Sequence, residues 1–368
     1  MAQTDNPAKS SRPRLAFLDW TRGLAALIML QGHAFHSFTS PALRNHDAYI
    51  LSQFVGGIPP AIFLFLTGVT LGFLMDARER QDLGGRRRIT AALRRAGYLF
   101  SLALAFRVQM WVFALPKSPW TDLFKVDVLN AMALAIVLLS PLALARTGDR
   151  VRVAAGLGLA IACVSPVVSA MDWSWLHPYA RAYLVPDYFS FGIFPWAAYL
   201  AFGLSGGSLL RQVKAEQLNR TMEWAALGGF GLLLGGQYFA SLPYSLYSKS
   251  DFWLNSPAQV LIKLGVILLL LACAFLWTEY GAGRRTSFMR LLGTHSLLVY
   301  WVHTELVYGR WFWFWKENLP IAPTAVSAVV VVALMIALAA WKESRPDWRL
   351  RLPRGMFRAA AEGRVRAG

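Results

Sequence analysis

The chain has 368 residues, 56% of them hydrophobic, with 15 Trp and a mean hydropathy of +0.42. Only 15% are charged, against roughly 25% in soluble domains, and apolar runs long enough to cross a bilayer recur throughout. A soluble domain with a single anchor is therefore excluded. The net charge of +17 does not indicate a nucleic-acid partner, because the basic residues follow the loops. With alternating helices and a cytoplasmic N-terminus, 27 of the 37 Lys and Arg fall on inner segments and 7 on outer ones. That bias is the positive-inside pattern, with attraction to anionic lipid.

The hydropathy pattern predicts an all-α integral membrane protein, a polytopic bundle of about ten transmembrane helices with both termini cytoplasmic. The spans are 15–38, 58–76, 96–115, 124–145, 153–170, 189–210, 222–240, 257–278, 291–309 and 322–341. A polar N-tail (1–14) without a cleavable signal peptide precedes a single transmembrane domain (15–341), and a basic C-tail (342–368) follows it. The simplest compartment is a bacterial inner membrane. The inner loop 77–95 is rich in Arg, whereas the outer segments 171–188, 241–256 and 310–319 are rich in aromatic residues. Such rings form an interfacial belt or a platform on which a sugar stacks. Cys163 and Cys273 fall in apolar runs and read as small buried hydrophobes.

The first helix carries Asp19, Arg22, Gln31, His33 and His36. Each Arg or Asp costs roughly 2.5–3.5 kcal/mol in the hydrocarbon centre, so these groups must pair, face a wet cavity or do chemistry. Asp19 and Arg22 are helix neighbours suited to an ion pair. Eleven residues, close to three turns and roughly 16 Å, separate Arg22 from His33, so both share one face. In helix three Arg107 is too central to reach water, and Asp127 stands beside Lys125 at the outer end of helix four. Helix nine carries His303 and Glu305. No zinc-type ligand spacing and no Gly-x-Ser-x-Gly element occurs.

The run Leu18-Asp19-Trp20-Thr21-Arg22-Gly23-Leu24-Ala25, followed by His33, resembles the opening signature of transmembrane acyltransferases. Arg22 and His33 fit the acyltransferase-3 spacing of a basic residue, ten positions and a histidine. Pro59-Pro60-Ala-Ile-Phe-Leu-Phe-Leu-Thr67-Gly68, Val126-Asp127-Val-Leu129 and Leu292-Gly293-Thr-His295-Ser296 through His303 look more like the branch of heparan-α-glucosaminide N-acetyltransferase. The motifs are short, and their order along the chain is the better argument.

The resemblance implies transfer of an acyl group, most simply acetyl, from cytoplasmic acyl-CoA to a hydroxyl or amine of a sugar or glycan acceptor. It also implies a histidine acting as general base or transient acyl carrier. In the eukaryotic heparan-type enzymes that histidine lies after helix one, which makes His46 the rival of His33. His33 is preferred because a helix positions a group more tightly than a loop. Arg22 and Asp19 then organise the inner end of the site, with His303 and Asp127 as supporting polar groups. Arg88, Arg94, Arg95 and Arg107 are the candidates for the phosphates of CoA, since Arg binds phosphate bidentately. The paired-arginine motif of acyltransferase-3, with two residues between the arginines, is missing here, because Arg94 and Arg95 are adjacent. No metal is expected. The rival reading is a transporter or flippase that uses the buried Arg, Asp and His without covalent chemistry.

Overall fold

The computed structural model describes residues 15–115, 118–188, 190–281 and 287–345. The N-tail and nearly all of the C-tail lie outside these residues. The described residues form thirteen α-helices and no strand. In chain order they are α1 (Ala16–Phe38), α2 (Asp47–Gly56), α3 (Pro59–Arg80), α4 (Gly85–Ala114), α5 (Val128–Leu139), α6 (Thr147–Ala170), α7 (Pro178–Leu184), α8 (Ile193–Gln212), α9 (Leu218–Ser241), α10 (Pro257–Tyr280), α11 (Phe288–Thr294), α12 (Ser296–Tyr308) and α13 (Ile321–Ser344).

Seven helical stretches among the described residues are long and apolar enough to cross a membrane: those containing α3, α4, α5, α6, α8, α10 and α13. The chain is accordingly a multi-pass membrane protein whose outer helical faces meet lipid. The three remaining expected spans are α1, α9 and the α11–α12 pair. In α1 the polar residues listed above in the sequence dilute the hydropathy, and α12 has only 13 residues.

Three boundaries differ from the sequence reading for physical reasons. The Arg-rich stretch expected as part of a loop is helical from Gly85 onward, because Arg is a good helix former and nothing between Arg86 and Arg95 breaks the ladder. The fourth span is not one continuous α-helix, since α5 is flanked by 3-10 turns. Asp127 caps α5 at its start, and Pro141 opens a 3-10 turn that follows it. The ninth span is broken at His295, whose backbone leaves the helical region (φ −108°, ψ 16°). There the Thr294 hydroxyl and the His295 backbone N–H both bond the Leu291 carbonyl.

The bundle is built around α1, which touches α2, α3, α10, α11, α12 and α13. Helices α3 and α8 run side by side in the same direction. A Cβ on Gly68 would strike the Leu200 carbonyl oxygen, and one on Gly203 the Phe65 carbonyl oxygen. In a membrane such small residues let backbones approach closely and replace the missing hydrophobic drive with packing. Helix α11 crosses the start of α1 in the same manner, Gly23 lying against Met289 and Gly293 against Asp19. One apolar core joins α1, α3, α4, α5, α8 and α10, and a second joins α1, α12 and α13.

The end of the bundle that carries the α3–α4 hairpin is its basic end. There Glu79 accepts from Arg150 Nη2 at 2.8 Å and from Thr147, and lies 3.4 Å from Arg88. Asp76 bridges Arg211 (2.7 Å) and Arg80 (3.0 Å). Arg150 is fully buried and also bonds the Leu142 and Ala145 carbonyls.

Candidate active site

A chamber of about 720 Å³ lies between α1, α3, α4, α5 and α12. Its lining brings together five residues singled out from the sequence: Arg22, His33, Arg95, Arg107 and Asp127. The walls between them are apolar and aromatic, with Met29, Phe63, Leu99, Phe106 and Met132 among them. Arg22 Nη1 contacts Asp19 Oδ1 at 3.2 Å, and Asp19 is buried while Arg22 reaches the chamber. The pairing offsets the cost of placing either charge at this depth.

His33 sits further along the same helix and lines the chamber. Behind it, His303 of α12 is fully buried. His33 Nδ1 and His303 Nε2 are 2.9 Å apart, and the two rings stack with centroids 5.1 Å apart. The tautomers follow from the partners. His303 Nδ1 is 2.7 Å from the Val299 carbonyl oxygen, which only accepts, so this nitrogen carries a proton. Neutral His303 then accepts at Nε2. The Thr304 hydroxyl is 3.4 Å from that nitrogen but spends its single proton on the Tyr300 carbonyl at 2.7 Å. The donor to His303 is therefore His33 Nδ1–H, which leaves the lone pair of His33 on Nε2. A neutral imidazole with a free Nε2 beside a cavity is competent as a general base.

At the other end of the chamber, Arg107 Nε contacts Asp127 Oδ2 at 3.1 Å. Asp127 is buried, and its second oxygen accepts from the Asn130 backbone N–H at 3.0 Å as the cap of α5. Lys125, two residues before it, pairs with Asp122 at 2.8 Å, so the ion-pair partner of Asp127 is Arg107.

The remaining candidates stand elsewhere. His46 caps α2, accepting from the Ala48 N–H at 3.2 Å, on an exposed turn outside the chamber. Arg88 lies outside the chamber, its Nη2 3.4 Å from Glu79 and donating to the Ala145 carbonyl at 3.1 Å. Arg94 lies outside the chamber in a groove on the α3–α4 hairpin. Lys263 of α10, a cation within an apolar helix rather than a site candidate, lies against the Trp196 ring at 5.4 Å. Glu305 is buried, as a carboxylate this deep must be, and does not line the chamber. Among the described residues no group of three His, Cys, Asp or Glu side chains could hold a metal.

Four more residues complete the lining. Ser296 and Tyr300, which belong to the helix-nine motif, and Thr304 and Tyr308, not singled out from the sequence, all face the chamber. Their spacing of four is a polar stripe on one side of a helix, a signal present in the sequence. The Tyr308 ring stands edge-on to His33 at 5.3 Å, and its hydroxyl reaches His36 Nδ1 at 3.3 Å. Phe191 carries no such signal, because it precedes α8 in a loop.

A protein-family model described as "Heparan-alpha-glucosaminide N-acetyltransferase, catalytic" matches residues 14–244, more than half of the chain. The match spans α1 to α9 and includes Arg22, His33, Arg95, Arg107 and Asp127, while His303 lies beyond it. No curated protein matches the chain.

Proposed function

The chain belongs to the heparan-alpha-glucosaminide N-acetyltransferase catalytic family, and on that premise we propose that it moves an acetyl group from acetyl-CoA on the cytoplasmic side to a hydroxyl or amine of a sugar or glycan. The observation that supports this most directly is one chamber lined by both a histidine with a free Nε2 and guanidiniums suited to phosphate. The residues fit such a donor. Arg22 and Arg95 would attract phosphate, and the apolar stretch along Met29 and Leu99 suits an uncharged thioester arm.

In the proposed reaction His33 Nε2 takes the proton from the acceptor as its oxygen or nitrogen attacks the thioester carbonyl. The carbon–sulfur bond breaks, the electron pair leaves on sulfur, and His33 returns the proton to the thiolate. His303 keeps the His33 ring in the required tautomer and turned toward the chamber. The Arg107–Asp127 pair and the aromatic rings at that end suit a hydroxyl-rich acceptor. The compartment proposed is a bacterial inner membrane, with the basic end toward the cytoplasm. No feature of the lining favours transport without chemistry.

The test uses purified protein with radiolabelled acetyl-CoA and membrane glycan extract. The parent transfers label, and His33→Ala loses about 10²–10⁴-fold in turnover, the range for loss of a general base, with its fold and donor binding kept. Full transfer by His33→Ala with loss in His46→Ala would reject the assignment.

A further inference from the structure

Outside the chamber, the hairpin between α3 and α4 holds a second hollow of about 730 Å³. Four guanidiniums line it, from Arg78, Arg86, Arg87 and Arg94, and no carboxylate does. Four further arginines of this end are held in ion pairs, Arg88 and Arg150 with Glu79, and Arg80 and Arg211 with Asp76. Among the described residues no ion pair holds the four that line the groove. Arg78 Nη1 bonds the Gln81 side chain at 3.0 Å, a neutral partner that leaves its charge uncompensated.

The groove and the chamber follow one another along α4. Arg87, Ala91, Arg94 and Tyr98 follow one another at spacings of four, three and four, which is one ridge of α4. Ala91 and Arg94 line the groove, and Arg95 and Tyr98 line the chamber. One turn of helix, roughly 5 Å, separates the two. A ligand whose charged end rests in the groove and that follows α4 arrives at Arg95 and Tyr98 of the chamber lining.

We infer that the groove is a phosphate site and that it holds the nucleotide end of the thioester donor, sharing its phosphates with Arg95 of the chamber lining, so that the uncharged arm runs on toward His33. The inference rests on the acetyltransferase reading and adds to it the place of the donor's charged end. Phosphate also occurs on lipid headgroups; the position of the groove one helical turn from the chamber on α4 is what assigns it to the donor.

The experiment is a titration of CoA into the full-length protein in phosphatidylcholine nanodiscs, repeated at several salt concentrations. Arg87 and Arg94 are exposed, so the double variant Arg87→Gln/Arg94→Gln keeps the fold, as its thermal midpoint would confirm. The expected result is a CoA affinity lower by about tenfold or more, with a shallower salt dependence, since two charge-assisted contacts are lost. Equal affinity and equal salt dependence in parent and variant would overturn the inference while leaving the acetyltransferase reading in place. A second series uses nanodiscs that contain phosphatidylglycerol. If CoA affinity is the same in parent and variant while only the parent enriches that lipid around it, the groove is a headgroup site and the donor assignment is wrong; weaker CoA binding to the parent but not to the variant in these discs shows lipid and CoA competing for the groove and supports it. Failure of the parent to bind CoA in either nanodisc would overturn both readings.

Discussion

His33 and His303 are 270 residues apart in the chain, yet their ring nitrogens stand 2.9 Å from one another. Only one of the pair reaches the chamber, and the other is held from behind by the Val299 carbonyl. His303→Ala removes the acceptor of His33 Nδ1–H and frees the ring to turn. Turnover should fall about 10–100-fold, the range seen when the outer partner of a metal-bound histidine is lost, with donor affinity unchanged. The discriminating measurement is the double variant His33→Ala/His303→Ala. Two residues acting as one unit give a double variant no slower than His33→Ala alone. Multiplied losses would mean that His303 acts independently.

Asp127 does two things at once, capping α5 and pairing with Arg107. Asp127→Ala should cost about 1 kcal/mol for the cap and about 1–3 kcal/mol more for the stranded guanidinium. Asp127→Asn keeps an accepting oxygen for the Asn130 N–H and should lose less. Thermal midpoints in detergent rank parent, Asn and Ala in that order; an Asn variant as unstable as Ala would show that the charge matters more than the cap.

Arg150 is the largest fully buried side chain, and its charge is met by Glu79. Glu79→Ala leaves that charge uncompensated inside the bundle. The expected loss is about 3–5 kcal/mol, the usual cost of breaking a buried pair from one side, read as a large fall in thermal midpoint or in folded yield. A midpoint within error of the parent would mean that water or another carboxylate reaches Arg150.

A methyl group at position 293 has nowhere to go, because the Asp19 carbonyl oxygen occupies its place. Gly293→Ala should push α11 off α1 at a cost of about 1–3 kcal/mol for overpacking. Since Gly293 also lines the chamber beside Arg22, donor affinity should fall with it. Unchanged donor affinity in a folded variant would show that this crossing does not shape the chamber. Gly228, with open space around its Cβ position, serves as the control for adding a methyl group.

The all-helical membrane fold was legible because long apolar runs leave few alternatives. The shared face of Arg22 and His33 was legible because helical periodicity fixes it over a span this short. Partner choice was not. Asp127 has Lys125 two residues away and instead meets Arg107 from the preceding helix, which only the packing of α4 on α5 decides. Arg88 and Arg94 look alike in a basic stretch, and a six-residue offset sends one to Glu79 and the other to the groove. The break at His295 had no Pro or Gly to announce it at that residue. The stripe from Ser296 to Tyr308 was readable from its spacing, but its tyrosines and threonine pass for ordinary residues of an interfacial helix.

Helices α1 and α12 both fall short of the apolarity or length that marks an independent span, and each covers polar groups of the other. Ser37 bonds the Val307 carbonyl, and His33 bonds His303. Helix α1 thus lacks this complement until α12 has been synthesised, more than 250 residues later. A chain cut after α10 would keep His33 without His303 and leave Ser37 without the Val307 carbonyl, so the polar side of α1 would lose the partners that cover it.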